Sequence, residues 1–154
     1  MAIVKAITLW QPWASLVVHG LKEYETRSWY TRYRGPLVIH AAMRSVRKSD
    51  FNFYYDLLER CNLWKKELVP RAALVGIVEL ENIFPAEDVT VGKWELHLGD
   101  YSSGRFAWKL VNPRPLPCSI PMRGQQGLWS VVWDDDWLSN PPVKMKEDFR
   151  DYRW

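Results

Sequence analysis

The side chains with the most chemistry to offer lie close together. Gly20-Leu-Lys-Glu-Tyr-Glu-Thr-Arg27 brings Lys22, Glu25 and Arg27 into one short segment. A lysine ammonium in a partly dry cleft can release its proton and act as base or nucleophile, or keep it and hold a phosphate. Glu25 can pair with Lys22 or Arg27, or accept a hydrogen bond from the amino group of a nucleobase. Upstream, Gln11 can read a base edge and Trp13 can stack on a base face. Arg32, Arg34, Arg44 and Arg47 offer phosphate contacts at a rim. His40 is a further cleft candidate. Gln125 and Gln126 sit between Gly124 and Gly127, where the backbone can approach a ligand closely.

These residues need elements to hold them, and the hydrophobic pattern supplies six strands and two helices. Ile3–Leu9 alternates as a first strand. Pro12–His19 reads as a two-turn helix, with Trp13, Leu16 and Val17 on one face and Gly20 as its stop. In a second strand, Tyr24–Trp29, Glu25, Arg27 and Trp29 point one way, and Tyr24, Thr26 and Ser28 the other. A face carrying Glu-x-Arg meets solvent or lines a polar cavity. Arg34-Gly35-Pro36 is a turn before a third strand, Leu37–Ala42. Ser49–Leu63 has helical spacing, with Ser49 as N-cap and Phe53, Leu57, Leu58 and Cys61 as its apolar stripe. Ala73–Phe84 is a strong strand in which Gly76 marks a bulge or a close backbone approach. Phe106–Val111 is a fifth strand, ended by Pro113, Pro115 and Pro117, and Leu128–Trp133 a sixth. The pattern predicts an α+β fold: a small, mostly antiparallel β-barrel with two or more flanking helices.

A chain of 154 residues has room for one domain. It shows no repeat and no apolar run near the roughly 20 residues that cross a bilayer. No signal peptide precedes Trp10, and two distant cysteines cannot frame disulfides, so a cytoplasmic location is expected. There is no P-loop, no Gly-x-Gly-x-x-Gly, no His-Glu-x-x-His and no Gly-x-Ser-x-Gly. His19, His40, His97, Cys61 and Cys118 have no metal-ligand spacing, so neither metal nor cofactor is expected. The net charge is only +3 but unevenly spread. From Lys22 to Lys48 there are seven basic residues against two acidic ones, and from Glu79 to Asp100 six acidic against one basic. A basic segment interleaved with aromatics can be a footprint for phosphate. Of the 10 tryptophans, only Trp10, Trp13 and Trp29 flank the Lys22 segment, so the stacking argument narrows to these.

Three stretches, in order, carry a resemblance. The first is Leu9-Trp-Gln-Pro-Trp-Ala-Ser-Leu16. The second is the G-x-K-x-x-E-x-R segment Gly20–Arg27, with Tyr33-Arg-Gly-Pro-Leu-Val-Ile-His-Ala41 after it. The third is Phe106-Ala-Trp-Lys-Leu-Val-Asn-Pro-Arg-Pro-Leu116, followed by Gly124-Gln-Gln-Gly-Leu-Trp129. The chain resembles the ASCH domain (activating signal cointegrator homology), a branch of the PUA-like superfamily. The domain is placed at residues 1–133, with a polar tail at 134–154 that Phe149, Tyr152 and Trp154 could pin down.

The resemblance implies a PUA-like barrel with a cleft between barrel and helices. It implies RNA, single-stranded nucleic acid or a nucleoside as partner, and a monomer is favoured. Some small bacterial members are amidohydrolases of N(4)-acetylcytidine, in which the Lys and Thr of G-x-K-x-x-T act with a downstream Glu. Lys22 matches that Lys, and Glu25 stands in place of the Thr. Spacing leaves Glu79, Glu81 and Glu95 open for the last role, and Glu81 is taken with Lys22 and Glu25 as the catalytic set. Two functions are therefore expected in competition. One is nucleic-acid binding through Gln11, Trp13, Lys22, Glu25, Arg27, Arg32, Arg34, His40 and Gln126. The other is metal-independent amide hydrolysis with Lys22 as base or nucleophile.

Overall fold

The strands form where apolar side chains alternate or run on: β1 Ala2–Leu9, β2 Tyr24–Arg27, β3 Gly35–Ala41, β4 Ala73–Pro85, β5 Phe106–Pro121 and β6 Trp129–Trp133. The helices are α1 Trp13–Val18, α2 Phe51–Arg60 and α3 Lys93–His97. The computed structural model describes residues 1–44, 51–62 and 69–142, without the side chains of 51–55. One sheet runs β2-β5-β4-β3-β1-β6. Its β1–β3 pairing is parallel and the others are antiparallel.

The sheet is buried on both faces, which is why β3 is apolar almost without interruption. On one face Ile7, Leu9, Leu37, Ile39, Val78, Leu80 and Trp108 pack with Ala14, Val17 and Val18 of α1. On the other, Ala6, Val38, Leu74, Ile77, Leu116 and Ile120 pack with Trp129, Val131 and Trp133 of β6. Gly20 ends α1 in the left-handed region at φ 74°, where glycine carries no steric cost.

Gly76 lies at a register shift of β4 opposite Pro115. A Cβ there would sit 2.6 Å from the Arg114 carbonyl oxygen and 3.0 Å from the Pro115 Cα, so the expected close approach is real.

Three expectations change, and one helix is new. The barrel is an open sheet, since the edge strands β2 and β6, of four and five residues, each pair with one neighbour only. The prolines do not end β5, which runs on for 16 residues. The β2 ladder reaches only Lys109, so among the described residues the later half pairs with β4 alone, an edge position where proline is tolerated. Gly35 and Pro36 belong to β3 rather than to a turn, paired with Leu80 and Glu79. The short helix α3 is absent from the sequence pattern, because five residues carry too little periodicity to register.

The Ser49 cap, Arg47, Trp64, Phe149, Tyr152 and Trp154 lie outside the described residues. Beyond β6, a short 3₁₀ turn, Asp135–Leu138, packs back on the domain, with the Trp137 ring 5.6 Å from that of Trp133.

Candidate functional site

A chain of charged side chains runs along β2 and the turn just before it. Lys22 is buried, its Nζ donates to the Tyr24 carbonyl, and it lies 3.6 Å from Glu25 Oε2. Glu25 Oε1 is 3.4 Å from Arg27 Nε. Arg27 Nη2 donates in turn to the Thr8 carbonyl at 2.9 Å, which ties β2 to the end of β1. β6 pairs with β1 only up to Ala6, so Thr8 lies beyond the end of β6.

A second carboxylate reaches this group from α3. Glu95 is buried, its Oε1 accepts the Glu23 backbone N–H, and it lies close enough to feel the Lys22 charge. Burial is the larger effect and pushes the Glu95 carboxyl up. Trp94 Nε1 donates to the Leu21 carbonyl at 2.7 Å and fixes α3 to the turn before β2. Burial, reinforced by the Glu95 charge, also pushes the Tyr101 phenol well up, so it stays protonated. Glu95 Oε2 and the Tyr101 hydroxyl are buried without a hydrogen-bond partner among the described residues. Sequence reasoning does not single out Tyr101. Gly99 packs against it, since a Cβ there would lie 3.0 Å from Thr26 Oγ1 and 3.1 Å from the Tyr101 ring.

A cavity of about 290 Å³ opens on this strand, lined by Trp10, Trp13, Trp29, Glu25, Arg27 and Arg105, with Thr8 and Ser28 among the rest. Lys22 is not among its lining residues and sits behind Glu25. Trp13 also packs on the Leu16, Leu57 and Leu98 cluster, and Trp29 meets Trp108 edge-on at 4.8 Å. Gln11 is absent from the lining. It is buried, with Nε2 donating to Ser15 Oγ at 2.8 Å and Pro70 O at 2.7 Å, and Oε1 accepting from Ser15 N at 3.0 Å. Its amide thus braces α1. Arg34 holds its own loop through Thr31 O and Tyr33 O, both at 2.8 Å. Arg32 is exposed. Glu81 is exposed and bridged to Lys109 at 3.1 Å, so the carboxylate that accompanies Lys22 and Glu25 is Glu95.

His40 and Gln126 belong to a second cavity of about 300 Å³, which also has Thr8 in its wall. The other lining residues are Ala42, Met43, Arg44, Ala72, Arg123, Gly124 and Gln125. His40 Nε2 lies 2.6 Å from the Met122 carbonyl, which only accepts, so this nitrogen carries the proton. Its Nδ1 lies 3.2 Å from Thr8 Oγ1, and the one hydroxyl proton of Thr8 goes either to this nitrogen or to the Gln125 carbonyl at 3.1 Å. Burial lowers the His40 pKa and keeps the ring neutral, though the Met122 bond works the other way.

The sequence profile of the ASCH domain matches residues 7–117. The chain belongs to the ASCH domain family. The span takes in both Trp10 and Trp13, the Lys22–Arg27 segment and Glu95. The loop carrying Arg123, Gln125 and Gln126 lies beyond it. This ASCH domain is 28% identical over 128 residues to activating signal cointegrator 1 of Homo sapiens and, to the same degree, to that of Mus musculus. The match covers 81% of this chain and 22% of each relative, so the chain spans about a fifth of their length. Among solved structures, the ASCH protein of Zymomonas mobilis aligns with a TM-score of 0.49 at 14% identity, over 89% of this chain and 91% of that one. A serine-to-alanine mutant of the same bacterial protein aligns with a TM-score of 0.48 at 16% identity, over 88% and 91%. Among the described residues of the ASCH domain, no three His, Cys, Asp or Glu side chains gather as metal ligands. No described helix is long and apolar enough to cross a membrane.

Proposed function

We propose that this domain binds single-stranded nucleic acid, with a base held in the tryptophan-lined cavity. One observation carries the reading: Glu25 and Arg27, fixed by Lys22 and Thr8, line the same cavity as three indole rings. Indole faces take any base by stacking, at about 1–3 kcal/mol each. The Glu25 carboxylate accepts from a base amino group, and the Arg27 and Arg105 guanidiniums donate to carbonyl or phosphate oxygens. Exposed Arg32 and Arg44 add to the attraction for the backbone. Family membership agrees with a nucleic-acid role. Titration of labelled single-stranded RNA and DNA oligonucleotides at low salt tests it. Saturable binding that weakens steeply as salt is raised is expected, and no binding to either strand overturns the reading.

A second reading is hydrolysis of an acylated nucleoside such as N(4)-acetylcytidine. It rests on Lys22 lying buried near both Glu25 and Glu95. Against it, Lys22 Nζ donates to the Tyr24 carbonyl and lies behind Glu25, away from the lining of the cavity. Incubation with N(4)-acetylcytidine separates the two. Cytidine and acetate formed by the wild type and lost in Lys22→Ala would establish hydrolysis, and no release removes it.

A further inference from the structure

We propose that the second cavity is a site for a second nucleobase, so that the ligand is a strand of at least two nucleotides straddling Thr8 rather than a free nucleoside. The proposal rests on the nucleic-acid reading above and extends it.

Thr8 is a wall common to both cavities, with its backbone carbonyl bonded to Arg27 on the first side and its hydroxyl facing Gln125 and His40 on the second. The two spaces are of nearly equal size, about 290 and 300 Å³. What lines the second is what a heterocyclic base requires. Ala42, Met43 and Ala72 give apolar surface for its faces. The amides of Gln125 and Gln126 can donate to and accept from its edges, and the planar guanidiniums of Arg44 and Arg123 can stack on it or reach its phosphate. A bare phosphate would not need the apolar walls.

The loop that carries Arg123, Gln125 and Gln126 is pinned rather than loose. His40 holds its Met122 carbonyl, and the Thr8 hydroxyl lies 3.1 Å from its Gln125 carbonyl. Gly124 lies so near that a Cβ would fall 2.5 Å from His40 Cε1 and 2.7 Å from Thr8 Oγ1. Arg44, Arg123, Gln125 and Gln126 are all exposed and outside the core clusters, so they can be changed without disturbing the core.

Competition against a labelled single-stranded oligonucleotide of about ten nucleotides tests the proposal. The competitors are a nucleoside monophosphate, a dinucleotide and a longer strand. The proteins are the full chain and its Arg123→Ala, Gln126→Ala and Trp10→Ala variants. The dinucleotide should compete at least about tenfold better than the mononucleotide, the order of one stacked base. Gln126→Ala and Arg123→Ala should erase most of that advantage and leave the mononucleotide unaffected, whereas Trp10→Ala should weaken every competitor. If dinucleotide and mononucleotide compete equally, or if Arg123→Ala weakens both alike, the second site is overturned while the first stands. If no oligonucleotide binds the wild type, both readings fall.

Discussion

The cavities on either side of Thr8 are alike in volume and opposite in construction. The first is held by charge. Lys22, just before β2, pairs with Glu25, Glu25 pairs with Arg27, and Arg27 ends on the Thr8 carbonyl. The second holds its loop with neutral groups: an uncharged His40, a hydroxyl and two backbone carbonyls, pressed together around Gly124. Charged side chains tolerate small displacements because Coulomb attraction falls slowly with distance. A neutral hydrogen-bonded floor packed at contact distance does not. The first cavity should therefore be sensitive to loss of particular groups, and the second to added volume.

Glycine substitutions give the largest contrast. Gly124→Ala puts a methyl 2.5 to 2.7 Å from His40 and Thr8, both held in hydrogen bonds, and should destabilise the domain by about 3 kcal/mol. Gly99→Ala, beside the first site, meets Thr26 and Tyr101 at 3.0 to 3.2 Å and should cost about 1 kcal/mol. Denaturant midpoints of the two variants check the order, and equal losses would erase the distinction. Next in size is Trp10→Ala. Trp10 is half-exposed and outside the core clusters, so stability should change little while oligonucleotide affinity falls by about 2 kcal/mol. Affinity unchanged beside an intact fold would take Trp10 out of the first cavity's function.

The same contrast explains what is legible in the sequence. The first cavity draws most of its lining from two short runs, Thr8–Trp13 and Glu25–Trp29, so spacing alone groups Trp10, Trp13, Glu25 and Arg27. The six strands, Gly76 and the alternation along β2 are legible for the same reason, since each is a local pattern. The second cavity gathers Thr8, His40–Arg44, Ala72 and Arg123–Gln126 from four distant segments through strand pairing. Nothing local joins His40 to Gln126, and residue type alone assigns both to one cleft with Trp13. Gln11 misleads in a different way. Its type suits a base edge, but its amide is buried against Ser15 and Pro70. Glu95 is one of three carboxylates that spacing cannot rank, because α3 is what brings it to Lys22.

The smallest expected effect is on pH dependence, and here the two sites should act with opposite sign. Burial raises the Glu95 carboxyl above its ordinary 4.5. As pH rises from there, the unfolded chain gives up this proton first. Glu95's contribution to stability is therefore full below 4.5 and is lost as pH rises through the folded value. Burial lowers His40 beneath its ordinary 6.5. As pH falls from there, the unfolded chain takes up the proton first. His40's contribution is thus full above 6.5 and is lost as pH falls through its folded value. In the wild type the two slopes have opposite sign. Glu95→Gln, which keeps an acceptor for the Glu23 N–H, should unmask a stability that declines toward acid. His40→Gln should unmask the reverse, a decline toward neutral pH from the acid side. Denaturant midpoints between about pH 4 and 8, taken as differences from the wild type, isolate each group because all other titrations are shared. Difference slopes of the same sign in both variants would mean that the two sites do not differ in the charge they hold.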